Sequence, residues 1–105
     1  MRWITSGKEF KEIYQKHYTL SGDLFIVFVQ RSDLENDLAV GIITNKKIGK
    51  AVIRNKVKRR VRSFLRQNVS ELKGIKLIIK AKPEAARASW QEICLNLGKL
   101  LFELN

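Results

Sequence analysis

The chain contains little of what extracellular, metal-binding or catalytic proteins depend on. Its 105 residues include one cysteine, Cys94, one histidine, His17, and one proline, Pro83. A single cysteine cannot form an internal disulfide and fits a reducing compartment. One cysteine and one histidine cannot complete a closed zinc site. Because nucleophiles and bases are so few, we expect no intrinsic catalysis by this chain.

Long apolar runs are also missing. No stretch reaches the roughly 18 residues of a membrane helix. The first ten residues, MRWITSGKEF, lack the apolar block of a signal peptide. A chain of 105 residues that is 45% apolar can bury a modest core. We therefore predict one domain over residues 1–105, in a soluble cytoplasmic protein with no membrane partner.

Acidic residues are absent from Leu38 to Ser70. Inside that gap, the segment from Lys46 to Arg66 holds ten of the chain's 21 lysines and arginines. About ten of the eleven net positive charges therefore lie in one fifth of the sequence. Charge concentrated in this way predicts a polyanionic partner, with nucleic acid favoured over an anionic membrane. A solvated face that only aids solubility is the alternative.

Most of this basic segment has the pattern of an amphipathic helix from about Ala51 to Val69. The apolar positions fall within about 120° of arc, and they are Ile53, Val57, Val61, Phe64 and Leu65. Arginines and Asn55 occupy the opposite arc, and a short loop containing three lysines precedes the helix N-terminus, where free N–H groups also favour an anion. Guanidinium groups match pairs of phosphate oxygens. The predicted nucleic-acid-binding residues are Lys46, Lys47, Lys50, Arg54, Asn55, Lys56, Lys58, Arg59, Arg62 and Arg66.

The remaining segments predict a sheet and two further helices. Strands are predicted at Leu24–Gln30, Leu38–Thr44 and Ile75–Lys82, with the first two antiparallel and the third central because it is apolar on both faces. The loop RSDLEND between the first two strands lacks the full calcium-binding pattern, so we expect a solvated hairpin turn.

Two Ser-x-x-Glu capping boxes mark the starts of the further helices. Ser6 and Glu9 predict a helix from about Gly7 to His17. Ser89 and Glu92 predict a final helix in which Trp90 and Cys94 are core residues.

Aromatic side chains line one side of the first predicted helix. Phe10, Tyr14 and His17 follow one another at helical spacing. Packing in the core is one interpretation. A stacking surface for unpaired bases is the other, because aromatic rings stack on bases of any sequence.

The segment from Gly41 to Arg59, GIITNKKIGKAVIRNKVKR, resembles the signature of the bacterial ribonuclease P protein subunit. That signature reads approximately G-x-x-x-S-K-K-x-G-x-A-V-x-R-N-x-x-K-R and continues with arginines. The family also has aromatic residues at the positions of Phe10, Tyr14 and Phe28. Asn45 and Lys50 depart from the common residues of the family, serine and asparagine.

The resemblance implies an α+β fold like that of the second domain of ribosomal protein S5. It implies a small mixed sheet of about four strands, three helices and a left-handed βαβ crossover through the basic helix. In that family a large RNA is the catalyst, and it removes the 5′ leader of precursor tRNA with bound magnesium. The expected partners are that RNA, at one protein per RNA, and precursor tRNA, while the protein alone binds no cofactor or metal.

The resemblance also implies roles for particular residues. Arg54, Asn55, Lys58, Arg59 and Arg62 are expected to bind the catalytic RNA. A second set is expected to line a cleft for the single-stranded leader, and it consists of Phe10, Tyr14 and Phe28. The alternative function is a ribosomal or general RNA-binding module with no part in cleavage.

Overall fold

The computed structural model describes residues 1–33, 35–69 and 72–104, and these contain three α-helices and a five-stranded mixed sheet. The strands are β1 (Arg2–Trp3), β2 (Tyr18–Ser21), β3 (Phe25–Arg31), β4 (Leu38–Ile43) and β5 (Ile75–Ala81). The helices are α1 (Gly7–Gln15), α2 (Ala51–Asn68) and α3 (Trp90–Phe102). Two short 3₁₀ turns lie at Lys46–Ile48 and Pro83–Ala86.

The strand order across the sheet is β1-β4-β5-β3-β2. Parallel neighbours β4 and β5 are joined through α2, while β3 runs antiparallel to β5 and β2 antiparallel to β3. The α+β class, the mixed sheet and the central position of β5 are confirmed. The sheet has one strand more than expected, because the two-residue strand β1 pairs in parallel with β4. The hand of the crossover stays a prediction.

The predicted hairpin between β3 and β4 is wrong, because β5 lies between them. Apolar side chains on both faces of β5 favour the centre of the sheet over an edge. The connecting loop instead crosses the start of β5, where the Ser32 N–H donates to the Gly74 carbonyl at 2.9 Å. That predicted turn also includes Leu34, which lies outside the described residues.

Helices cover both faces of the sheet. On one face, α2 and α3 complete the main core with the strand residues Phe25, Val27 and Leu77. On the other face, α1 covers a smaller cluster that consists of Ile4, Ile13, Ala39 and Ile78. Since Ile78 alternates with Leu77 and Ile79, the period of two along β5 separates the two clusters.

Two predicted core positions are wrong. Ile53, on the apolar arc predicted for α2, is 37% exposed, and it lies in the first turn of α2 next to Gly49. Trp90 is also 37% exposed. Its ring lines a groove between the end of α2 and α3, together with Leu95 and Phe102, outside the closed core. Cys94, in contrast, is half-buried and packs against the main core.

Candidate nucleic-acid interface

The ten predicted nucleic-acid-binding residues, which we call the basic surface, lie together on α2 and the turn before it. The helix packs on the sheet through Val57, Val61, Phe64 and Leu65, so its other sides face outward. Three members are half-buried, namely Arg54, Lys58 and Arg62. The others are exposed, and they are Lys46, Lys47, Lys50, Asn55, Lys56, Arg59 and Arg66.

The positive charge of the basic surface is not compensated within the described part of the chain. The salt bridges formed there use the N-terminal amine, Arg2 and Lys76 as cations, and none uses a residue of the basic surface. The sequence of α2 contains no acidic residue. Like charges three and four positions apart on a helix repel one another. An external polyanion would relieve this repulsion.

The backbone before α2 is shaped by two residues. The Asn45 side chain accepts a hydrogen bond from the Lys47 N–H at 3.0 Å and so caps the 3₁₀ turn. Gly49 has a φ of 142°, a conformation that L side chains rarely adopt. Lys50 is the N-cap of α2 but makes no side-chain capping bond. The first N–H groups of α2 are therefore not capped by Lys50, at the helix end that favours anions.

Not every arginine of α2 faces the solvent. The guanidinium Nη1 of Arg60 donates to the Ala88 carbonyl at 2.9 Å and ties α2 to the segment before α3. Arg62 and Arg66 lie over the ring of Trp3, with their Cζ atoms 5.7 Å and 5.9 Å from its centroid. Sequence reasoning missed Trp3, because nothing local in the sequence connects it to residues about sixty positions away.

An aromatic cleft lies on the opposite face of the sheet, between α1 and β3. The ring centroids of Tyr14 and Phe28 are 5.4 Å apart in an edge-to-face arrangement. Phe10 and Phe28 are half-buried against the smaller cluster, whereas Tyr14 is 42% exposed. Partial burial raises the pKa of Tyr14. The structure thus brings the three predicted leader-binding residues together, and Phe10 and Phe28 also serve the core.

His17 completes this aromatic group. Its ring lies 4.9 Å from Phe28 and 6.5 Å from Tyr14, centroid to centroid. Because a carbonyl oxygen can only accept, Nδ1 of His17 donates to the Ile13 carbonyl at 3.0 Å. This bond fixes the ring just past the end of α1, so His17 acts as part of the aromatic wall.

The position of the Phe10 ring depends on a glycine in the facing strand. A Cβ atom built on Gly41 of β4 would lie 2.6 Å from two carbon atoms of the Phe10 ring. That approach is closer than real Cβ contacts allow, so any side chain at this position would displace the ring. Gly41 therefore lets α1 lie close to the sheet and sets the depth of the cleft.

The sheet face continues beyond Phe28 as a second row of half-exposed side chains. Ile26, Lys80 and Ile43 are register partners across β3, β5 and β4. Lys80 forms no salt bridge with any described residue. Ile43 ends β4 just before the turn at Lys46, so this row leads toward the basic surface. The sequence could have placed Lys80 here, because it shares the face of Ile78 at a spacing of two.

An ion-pair network attaches α1 to the sheet. The guanidinium of Arg2 in β1 bonds to the Glu9 carboxylate, with Nη1 at 2.9 Å from Oε1, and also to Glu35, with Nη2 at 2.8 Å from Oε2. The Nζ atom of Lys76 in β5 lies 3.1 Å from Oε2 of Glu9. The capping box predicted at Ser6 is wrong, because Ser6 makes no side-chain cap and the Glu9 carboxylate is engaged by Arg2 and Lys76. The acidic loop is likewise not simply solvated, since Glu35 pairs with Arg2.

This network predicts an acid-sensitive fold. Hydrogen bonding from Arg2, assisted by Lys76, lowers the pKa of Glu9 from 4.5 to about 2. A carboxyl with a lowered folded-state pKa contributes stability above its unfolded pKa and loses that contribution as the pH falls toward the folded value. Glu9→Gln is therefore expected to lower the melting temperature at pH 7 by a few degrees. Between about pH 5 and pH 2, the melting temperature of this variant should fall less than that of the parent. Thermal melts followed by circular dichroism measure both effects.

The matched control for this prediction is Glu12→Gln on the same helix. Glu12 is exposed and forms no salt bridge with the described residues. The melting curve of Glu12→Gln should match that of the parent at each pH. Identical pH dependence in Glu9→Gln and the parent would show that the network does not stabilise the fold.

Other kinds of site find little support among the described residues. No group of three His, Cys, Asp or Glu side chains is placed there to hold a metal ion. None of the described helices combines the length and the apolar character needed to cross a membrane. What the described residues do place together is a set of cationic side chains on α2 and the turn before it, and a set of aromatic rings on the opposite face of the sheet.

The chain is also similar in sequence to known proteins. Residues 2–105 match the model of the family described as Ribonuclease P. The chain is 36% identical over 105 residues to the ribonuclease P protein component of Mycoplasma mycoides subsp. mycoides, covering 98% of this chain and 95% of that protein. It is 35% identical over 99 residues to the ribonuclease P protein component of Enterococcus faecalis, covering 93% and 84%.

Solved structures show the same likeness. The RNase P protein of Staphylococcus aureus gives a TM-score of 0.91 at 26% identity, over 98% of this chain and 94% of that one. The RNase P protein of Thermotoga maritima gives a TM-score of 0.81 at 26% identity, over 90% and 89%. The similarity in fold therefore extends over nearly the whole chain.

Proposed function

Because the chain belongs to the ribonuclease P protein family, we propose that its basic surface binds the catalytic RNA and its aromatic cleft binds the 5′ leader of precursor tRNA. The chain is the protein component of a ribonucleoprotein endoribonuclease, and its partner is ribonuclease P RNA. One protein per RNA and a cytoplasmic location belong to the same proposal.

One observation carries the assignment of the RNA surface. The basic surface gathers nine cationic side chains and Asn55 on one helix and its preceding turn, and none of the nine is paired with a described carboxylate. Planar guanidinium forks bind phosphate oxygens two at a time, and lysines add point charges. Counterion release from the RNA then supplies much of the affinity.

The leader assignment is supported by the shape and chemistry of the cleft. Tyr14 and Phe28 offer ring faces on which unpaired bases can stack, and Lys80 supplies a positive charge in the adjacent row. A single strand suits this arrangement, because its bases are free to stack and its backbone carries one charge per nucleotide. The adjacent row ends at Ile43, just before the turn that begins the basic surface, so RNA and leader would be held side by side.

The described residues of the candidate interface do not fit the magnesium ion that cleavage requires. Hard cations take clustered carboxylate and carbonyl oxygens, whereas the candidate interface is basic and the described residues hold no cluster of acidic ligands. We assign the ion to the RNA. The protein's part is to neutralise phosphates and to position the leader, which lowers the repulsion between two polyanions.

This function predicts a simple reconstitution result. At a magnesium concentration too low for the RNA alone, adding the chain to ribonuclease P RNA from its own cell is expected to restore removal of the leader. The reason is that bound cationic side chains replace part of the magnesium that screens the two RNAs. Cleavage is measured on end-labelled precursor tRNA under single-turnover conditions.

Two outcomes would contradict the proposal. One is no gain in cleavage at any protein concentration that saturates the RNA. The other comes from sequencing the RNA that copurifies with the chain from its own cell, if ribosomal RNA is recovered without ribonuclease P RNA. That second result would favour a general RNA-binding module.

A further inference from the structure

Trp3 is held in place by the edge of the sheet. It forms the second residue of β1 and pairs in parallel register with Val40 of β4. The next residue, Ile4, donates its N–H to the Val40 carbonyl at 2.8 Å. The indole is half-buried and packs against the main core. Its position is therefore fixed by the fold rather than by the N-terminal segment alone.

The guanidinium groups of two α2 arginines lie over the indole of Trp3. Arg62 and Arg66 are one helical turn apart, and both guanidinium carbons lie within 6 Å of the ring centroid. The face of an indole attracts cations, more strongly than the face of any other side chain. Neither arginine has a described carboxylate partner, and the two like charges repel each other. Among the described residues, the ring of Trp3 therefore offsets part of the repulsion between the two arginines.

We propose that Trp3 is a positioning residue that holds Arg62 and Arg66 ready to bind RNA phosphates. This inference rests on the proposed function of the basic surface. A freely moving arginine side chain loses several rotamers when it binds a phosphate, and a guanidinium held over the Trp3 ring has lost part of that freedom already. Cation–π attraction does not use up the guanidinium N–H donors, so these remain for phosphate oxygens.

The test is a double-mutant cycle read as affinity for ribonuclease P RNA, using the full chain. Trp3→Leu keeps an apolar side chain against the core but removes the ring, and it is expected to weaken RNA binding about threefold to tenfold. Trp3→Phe should recover part of that affinity, because phenylalanine still presents a ring face. In the variant that already carries Arg62→Gln and Arg66→Gln, adding Trp3→Leu should not weaken RNA binding further, because the two guanidinium groups that Trp3 positions are absent.

The chain offers a matched control in its other tryptophan. Trp90 lines the groove beside α3, and none of the residues that line this groove belongs to the basic surface. Trp90→Leu should therefore leave RNA affinity unchanged. Thermal melts establish that each variant is folded at the assay temperature. Only folded protein enters the comparison, so a loss of stability is not mistaken for a loss of RNA-binding groups.

The outcomes separate the inference from the function beneath it. If Arg62→Gln with Arg66→Gln weakens RNA binding but Trp3→Leu does not, the positioning role is wrong and the RNA surface stands. If Trp3→Leu weakens binding equally in both backgrounds, Trp3 acts independently of the arginines and the inference is overturned. If the arginine pair has no effect on RNA affinity, the proposed use of this part of the surface fails as well.

Discussion

Replacing Arg59 and Arg62 together by alanine is expected to weaken binding of ribonuclease P RNA about 100-fold without unfolding the protein. A hydrogen bond to a charged group contributes about 1.5–3 kcal/mol, and each 1.4 kcal/mol is a tenfold change in affinity. Arg59 is exposed on α2 and Arg62 lies beside it, half-buried over Trp3. Neither is bonded to a described carboxylate, so their removal leaves no buried charge behind.

The fold should tolerate this double substitution. Alanine is the best helix former, and removing two positive charges reduces repulsion along α2. The melting temperature is therefore expected to stay the same or to rise slightly. Binding measured at several salt concentrations should also show a shallower dependence, by about one unit of slope for each phosphate that the variant no longer neutralises.

A control of equal charge change distinguishes direct phosphate binding from net charge. Lys73 and Lys99 are exposed and lie outside the basic surface, in the loop before β5 and on α3. Lys73→Ala with Lys99→Ala lowers the net charge by the same amount. We expect this control to change RNA affinity by less than about threefold, because neither lysine belongs to the surface proposed to contact RNA and salt screens exposed charges. Equal weakening in the two double variants would mean that the chain binds RNA by net charge alone.

The second large effect is expected from Phe28→Ala, which should weaken binding of precursor tRNA to the holoenzyme about 10-fold or more while sparing mature tRNA. Stacking of a base on an aromatic ring contributes about 1–3 kcal/mol. Only the precursor carries a leader, so on the proposed function removal of this ring should weaken binding of the precursor selectively. The measurement is a pair of titrations, one with each tRNA, against the enzyme reconstituted with parent or variant protein.

Folding must be controlled in this case, because Phe28 packs against the smaller cluster beside Ile78. Phe28→Leu retains apolar volume without a ring, and it should reproduce the decrease in precursor selectivity at higher stability. Phe102→Ala is the matched aromatic control, since Phe102 is 76% exposed on α3, away from the cleft. Equal weakening for precursor and mature tRNA would mean that the cleft does not contact the leader.

The two serine caps show how far local patterns reach. Ser89 and Glu92 form the predicted capping box, with the Glu92 N–H donating to the Ser89 hydroxyl at 3.1 Å. Ser6 and Glu9 have the same spacing, yet the box does not form. The Glu9 carboxylate of α1 pairs instead with Arg2 and Lys76, which the fold brings to it from the strands β1 and β5. A cap can be predicted from sequence only when no distant cation competes for its carboxylate.

Strand order shows the same limit. The apolar pattern on both faces of β5 was enough to place it in the centre of the sheet. It was not enough to reveal that β5 separates β3 from β4, or that Arg2–Trp3 adds an edge strand. A strand of two residues has too few positions for a periodic pattern, so its pairing depends on tertiary contacts alone.

The basic surface can be identified from the amino-acid sequence without a structure, because α2 carries both its apolar stripe and its cations within one continuous helical period. The same locality explains why the signature from Gly41 to Arg59 was sufficient to indicate the family. What surrounds these residues becomes visible only in the folded chain: Trp3 lies beneath Arg62 and Arg66, and Gly41 lies beneath Phe10. Those contacts join residues far apart in the chain, and their geometry depends on strand register and helix packing that no local pattern specifies.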